Sequence, residues 1–126
     1  MHNQPSPTEL LSAVKSFIDD TAKPELTGHA AFHARVASNA LAIVIRDLDS
    51  RAASEVAETA RLQAILERSD EMNLDVLNKY LCDRIRAGEL TINTPGLLSH
   101  LKATAIAQVE VDQPRYSGLK SAVNPQ

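Results

Sequence analysis

Two pairs of polar side chains sit in the stretch His29 to Leu48, HAAFHARVASNALAIVIRDL, where nearly everything else is apolar or alanine. His29 and His33 are four residues apart. On a helix their rings stack on one face, one turn apart, which is the spacing of two helical metal ligands. No Glu follows His29 to complete such a motif, and His100 and Cys82 are only unplaced candidates for a third ligand. The preferred reading of His33 is therefore a core histidine bonded to a carbonyl, an Asp or another helix, with no metal. Arg35 and Asn39 are also four apart, on the opposite, more polar edge. Together they could hold a carboxylate or a phosphate, the guanidinium through its planar fork. The competing and preferred reading is structural, with Arg35 tied to Asp75, Asp83 or Asp112.

A third candidate is Val111-Asp112-Gln113-Pro114-Arg115-Tyr116. A free tail has no need of an aromatic, so this segment is expected to fold back with Tyr116 as anchor and Asp112 and Arg115 in charged contacts. It could cover a pocket edge, although a simple clasp is the preferred reading. A ligand site, if there is one, would then draw on His33, Arg35, Asn39, Asp112, Arg115 and Tyr116. In Leu81–Gly88, Arg84 and Arg86 could bind an anion, but at a helix end they suit its negative pole. Cys82 lacks a basic or His neighbour in sequence to make it a nucleophile. No GxGxxG, P-loop, HExxH or GxSxG pattern occurs. No catalytic residue and no cofactor is assigned.

The elements that must position these groups are helices. Ser6-Pro7-Thr8-Glu9 is a capping box with proline at the first helical position. Leu10, Leu11, Val14, Phe17 and Ile18 follow as one apolar stripe, and the helix should stop near Ala22, before Pro24. The second helix runs from Thr27-Gly28 to about Leu48. Between Ala30 and Ile45 its only polar residues are His33, Arg35, Ser38 and Asn39. Such a helix belongs in the middle of a bundle. Asp49-Ser50 should end it and cap a third helix, roughly 51–68, with Ala53, Val56, Ala57, Ala60 and Ala64 on its packing line and Leu62, Ile65 and Leu66 widening it. A fourth helix spans about Leu74 to Ala87, with Leu74, Leu77, Leu81 and Ile85 inward and Gly88 as its terminator. Thr94-Pro95 should open a fifth, about 95–110, burying Leu97, Leu98, Leu101, Ala105 and Val109. The third helix's alanine face could also pair across a two-fold. The expected fold is all-α, a five-helix up-and-down bundle around the Ala-rich second helix. It forms one domain, 1–116, whose first five residues are loose, followed by a flexible tail, 117–126.

With 126 residues and aromatics at only 3%, the core must be built from Leu, Ile, Val and Ala. A net charge of −3 and the absence of any Lys/Arg run argue against a nucleic-acid partner. A single cysteine forms no internal disulfide, which fits a reducing cytoplasm. No apolar run approaches the ~20 residues that span a bilayer, so no membrane partner is expected.

Taken together, PTELLSAV, LTGHAAFHARVASNALAIV, LNKYLCDRIRAGEL and LLSHLKATAIAQVEVDQPRY resemble a small bacterial family of helical proteins of unknown function. Members are often encoded beside acyl-CoA dehydrogenases and aminoglycoside-phosphotransferase-like kinases. The resemblance covers roughly residues 5–116. It is most specific at Ala31–Leu41, Cys82–Leu90 and Val111–Tyr116, and weak over 47–73 and the last ten residues. It places His33, Arg35, Asn39, Arg84, Arg86, Asp112, Arg115 and Tyr116 in the family's motif positions but implies no reaction. The resemblance and the helical build favour an accessory or scaffold protein that binds a partner enzyme, kinase-like or acyl-CoA dehydrogenase. A binder of a small anionic metabolite such as an acyl-CoA comes second, and an enzyme using His33 third. A homodimer is compatible with each.

Overall fold

Ser6 opens the first helix by the predicted reciprocal cap. Its hydroxyl accepts from the Glu9 amide at 3.2 Å, and the Glu9 carboxylate accepts from the Ser6 amide at 2.7 Å. From there the computed structural model, which describes residues 4–124, is all-α. Residues 1–3 and 125–126 of the expected loose ends lie outside the described residues. Helix α1 (Pro7–Ser16) passes through a π-helical stretch (Phe17–Ala22) into α2 (Lys23–Glu25) as one rod. Then follow α3 (Gly28–Leu66), α4 (Leu74–Arg86), α5 (Leu97–Asp112) and α6 (Ser117–Val123). That makes five rods, with no strand among the described residues. One domain to residue 116 is the expectation from sequence; the contacts group into two compact units that divide between Ser50 and Arg51.

In the first unit the rod does not stop at Ala22. Lys23 keeps helical angles (φ −61°, ψ −40°) and the turn out comes at Leu26 (φ −103°, ψ 146°). The Lys23 amide reaches back five residues to the Ile18 carbonyl. The widened π turn admits Pro24, which has no N–H to place and whose ring would crowd a regular turn. Gly28, at φ 57°, then supplies the left-handed residue that starts α3. Thr8 donates to Asp49 at 3.3 Å, and Ser38 donates to Asp19 at 2.8 Å. These two bonds make the unit an antiparallel hairpin and fix its register.

The expected break at Asp49-Ser50 is absent. The Ser50 hydroxyl donates to the Arg46 carbonyl one turn back, at 2.8 Å, which lets a serine sit inside a helix. Asp49 accepts from Thr8 instead of capping a new helix. The predicted second and third helices are therefore one. The expectation that this Ala-rich segment fills the centre of a bundle is also corrected. In its first half only Ser38 is buried, while Phe32, Val36, Val44 and Leu48 are exposed. A hairpin gives the segment one neighbouring rod, which covers one side of a helix that is apolar on nearly all.

The second unit holds the leucine core. Leu62 and Leu66 of α3 close on Leu77 and Leu81 of α4, on Leu90 in the link and on Leu97 of α5, with Ile65 and Leu74 against them. The inward line of this part of α3 is thus Thr59, Leu62 and Leu66. Leu62 and Leu66, expected at the edge of the packing stripe, are its buried part; the alanine line is outward, and Val56 is 72% exposed. Both lines have helical spacing, and burying leucine removes far more apolar area from water than burying alanine. On α4, Leu77 and Leu81 are buried as predicted, but Ile85 is exposed. On α5, Leu97 is buried, Leu98 and Leu101 are exposed, and His100 takes the inward position.

Caps and turns set the links. The Gln63 amide donates to the Glu71 carbonyl at 2.8 Å, holding the loop before α4, and the Asn73 side chain caps α4 through the Val76 amide at 3.1 Å. Gly88 ends α4 at φ 75°, as predicted. Thr94 does not cap α5. Its hydroxyl accepts from the Thr91 amide at 2.9 Å, closing a turn, and Gly96 at φ 84° becomes the N-cap. Residues 117–123 of the expected flexible tail form α6.

Candidate functional site

The densest charged cluster of the first unit gathers on Asp19. Lys15 and Lys23, one turn before and after, reach its two oxygens at 2.6 and 2.9 Å, and the buried Ser38 hydroxyl donates to it at 2.8 Å. Hydrogen bonds from Lys15, then Lys23, then Ser38 hold the Asp19 carboxyl well below the usual carboxylate range. Both carboxylate oxygens are engaged from within the hairpin, so this cluster ties α3 to the π turn. It is a structural clamp. Its signal in sequence is a carboxylate flanked by lysines at i−4 and i+4.

His29 and His33 stack as the spacing predicts, ring centres 6.2 Å apart and planes 24° apart. Phe32 meets the His33 ring edge-on at 5.5 Å. With Gly28 these three residues line a shallow, open hollow at the start of α3. All three rings are exposed, so His33 is not the core histidine that the sequence suggested. Among the described residues no group of three or more His, Cys, Asp or Glu side chains is placed to hold a metal ion. Arg35 and Asn39 are exposed one turn apart on α3.

Asp112, Arg115 and Tyr116 belong to the second unit. Asp112 accepts from Gln108 at 2.7 Å within α5. The Tyr116 ring lies over Gly118, where an added Cβ would come within 2.7 Å of it, and Tyr116 is 56% exposed. It shields the start of α6 and is not a buried anchor. The six residues expected at a site therefore fall into two triplets, one in each unit.

The second unit buries a polar group that sequence reasoning left unplaced. His100 is 2% exposed, and its Nδ1 accepts from Arg61 Nε at 3.4 Å. Burial, and then the Arg61 charge, push the imidazole below its ordinary value, and Glu58 opposes this. Glu58 also accepts from Asn78 of α4 at 3.0 Å. One turn beyond His100, the Thr104 hydroxyl is buried without a protein hydrogen-bond partner. The 3- and 4-residue steps from Leu97 to His100 to Thr104 were the available sign that these side chains share the inward face.

Tyr80 has guanidinium groups near its ring, Arg68 at 5.2 Å and Arg84 at 5.8 Å from the centre. Arg84 is also paired with Glu89 at 2.9 Å, and Arg86 with Asp83 at 3.3 Å. These pairs support the capping reading of the helix-end arginines over the anion site. An open groove of about 740 Å³ runs beside Val56, Thr59, Gln63 and Met72. Cys82 is exposed.

Apolar side chains are exposed in both units, and in the first they lie along two paired helices. Leu10, Val14 and Phe17 on the first rod, and Phe32, Val36, Val44 and Leu48 on α3, are all 44% or more exposed. No buried apolar side chain occurs in this unit among the described residues. Isolated apolar residues on a surface need no explanation; here they recur along two paired helices. Among the described residues no helix is long and apolar enough to cross a membrane.

No curated protein and no solved structure matches the chain. A family model does, over residues 24–116, described as a domain of unknown function (DUF6285). That span takes in α3, α4 and α5 and ends at Tyr116. With most of its length matched, the chain belongs to the DUF6285 family.

Proposed function

We propose that this protein is an accessory module that acts by binding other proteins, with the hairpin of the first unit as its contact surface. The observation that carries this reading is the apolar run just described. Seven large apolar side chains are exposed on a pair of helices that buries none. A helix pair in water is stabilised chiefly by packing of its apolar faces. One that leaves those faces open has its stabilising contacts still to make. The partner class comes from the family resemblance: an enzyme encoded nearby, kinase-like or an acyl-CoA dehydrogenase.

The test is direct binding between this chain and each purified candidate enzyme. Micromolar or tighter binding that Val44→Lys weakens at least tenfold, while Val56→Lys in the second unit leaves it intact, supports the reading. No binding at 50 µM by either enzyme, or equal loss with both substitutions, overturns it.

A further inference from the structure

The alternative to a metal ligand for His33 is a core histidine bonded to a neighbour, and the fold does not provide one. His29 and His33 are both exposed. Among the described residues neither imidazole makes a hydrogen bond or an ion pair, and their contacts are the ring contacts with each other and with Phe32. All four ring nitrogens are therefore open to an outside ligand. The spacing of four residues on a continuous helix sets both rings on one face, with planes only 24° apart. An ion about 2.0–2.1 Å from one nitrogen of each ring, in tetrahedral geometry, holds the ring centres roughly 5 Å apart. The 6.2 Å separation is wider than that by about 1 Å, which small turns of two exposed side chains close. Phe32 flanks the His33 ring edge-on and supplies no donor.

We propose that His29 and His33 form a two-imidazole site for a divalent transition-metal ion, with water in the remaining coordination positions. The donor set decides the class of ion. Imidazole nitrogen suits copper, nickel and zinc, and on a given site copper(II) binds more tightly than nickel(II) or zinc(II). Calcium and magnesium take oxygen ligands, and no Asp or Glu stands between Leu26 and Arg46. The pair also lies in the first turns of α3, at the positive end of the helix, where a cation gains nothing from charge alone. Only coordination by the ring nitrogens holds an ion there. Two protein donors, with no third His, Cys, Asp or Glu grouped with them among the described residues, make an open and exchangeable site. A structural centre would instead be closed by four protein ligands. This site stands apart from the reading of the hairpin as a protein-contact surface, and either can fail alone.

The experiment is calorimetric titration of the full chain, first stripped of metal with a chelator, by copper(II), zinc(II) and magnesium salts. Electron paramagnetic resonance of the copper(II) form reads the donors. The expected result is copper(II) binding with the hyperfine pattern of two equatorial nitrogens, weaker zinc(II) binding and no magnesium binding. His29→Ala and His33→Ala should each weaken copper(II) at least tenfold with helical circular dichroism retained. His33→Ala combined with Ala37→His keeps the number of histidines but sets the two rings about 12 Å apart along α3, so it should bind no better than His33→Ala alone. The other histidines of the chain, His2 and His100, are the rival donors, and His2→Ala and His100→Gln should leave the two-nitrogen signal in place. No copper(II) binding by the wild type at 100 µM overturns the proposal without needing any variant to fold. So does an affinity that His29→Ala and His33→Ala leave unchanged, recovery by the distant histidine, or loss of the signal on His2→Ala or His100→Gln.

Discussion

In the second unit Leu62, Leu66, Leu77 and Leu81 close on one another, while in the first Leu10, Val14 and Phe17 face outward along their helix. The second unit buries apolar side chains and, among them, an imidazole. The first is held by polar bonds, Thr8 to Asp49 and the lysine–aspartate–serine cluster, with apolar surface outside. A hydrogen bond adds about 0.5–1.5 kcal/mol net, and an exposed ion pair about 0–1. A buried leucine contributes about 1.5–3. The contrast therefore teaches where stability resides: largely in the leucine core of the second unit, and in the first in polar bonds between the rods.

The largest expected effect tests that division. Leu77→Ala, at a side chain only 1% exposed, should cost about 2–5 kcal/mol in chemical unfolding, as large-to-small changes in closed cores do. Val56→Ala, on the line that the alanine pattern marked as packing, should stay within about 0.5 kcal/mol. Similar costs at the two positions would mean that the leucine cluster is not the core. Next in size is a pair of glycines. Gly96→Ala meets both a left-handed backbone at φ 84° and the Ile65 side chain 3.3 Å from the new Cβ. Gly28→Ala meets the backbone cost alone, at φ 57°, with open space around it. Strain of this kind is about 1–3 kcal/mol, and Gly96→Ala should cost the more. A reversed order would show that contact with Ile65 adds nothing.

Acid should affect the two units in separate windows. His100 is held below its ordinary 6.5, so the unfolded chain binds its proton more readily than the folded one. Its contribution is complete above about pH 6.5 and is lost as pH falls below that. Asp19 is also lowered, from 3.8, and Glu9 from 4.5 by its bonds to Ser6. For both, the folded state again binds the proton less readily. Their contributions are complete above about pH 5 and fall away in stronger acid. Urea unfolding from pH 8 to 3 should therefore show a first decline between 7 and 5 that His100→Gln flattens. A second decline below 5 should be reduced by Asp19→Asn. If His100→Gln leaves the upper slope unchanged, the buried imidazole is not its source.

Local chemistry was the most legible part of the sequence. The capping box at Ser6, the end of α4 at Gly88 and the stacked pair His29–His33 depend on neighbours within one or two turns, and each stands where spacing put it. The merging of two predicted helices was less legible. Asp49-Ser50 has cap chemistry, but a serine hydroxyl bonds a carbonyl one turn back equally well. Which face turns inward was least legible. The second half of α3 has both an alanine line and a leucine line at helical spacing, and only the presence of α4 and α5 decides between them. The polar residues divided the same way. His33 stood out because it lies one helical turn from His29 in an apolar stretch, yet it is exposed, whereas His100, left unplaced, is buried.

The smallest prediction concerns two buried hydroxyls and turns the comparison of units around. In the polar hairpin the Ser38 hydroxyl is partnered, donating to Asp19, so Ser38→Ala removes a bond to a charged acceptor and should destabilise. In the well-packed second unit the Thr104 hydroxyl is buried without a protein partner, so Thr104→Val removes an unsatisfied group and keeps the shape. That change should leave stability equal or raise it by up to about 1 kcal/mol. Opposite signs at these two positions, measured by thermal unfolding, would locate the unmet polar demand in the unit with the better apolar core. A loss of 1 kcal/mol or more on Thr104→Val would instead mean that its hydroxyl is bonded in solution.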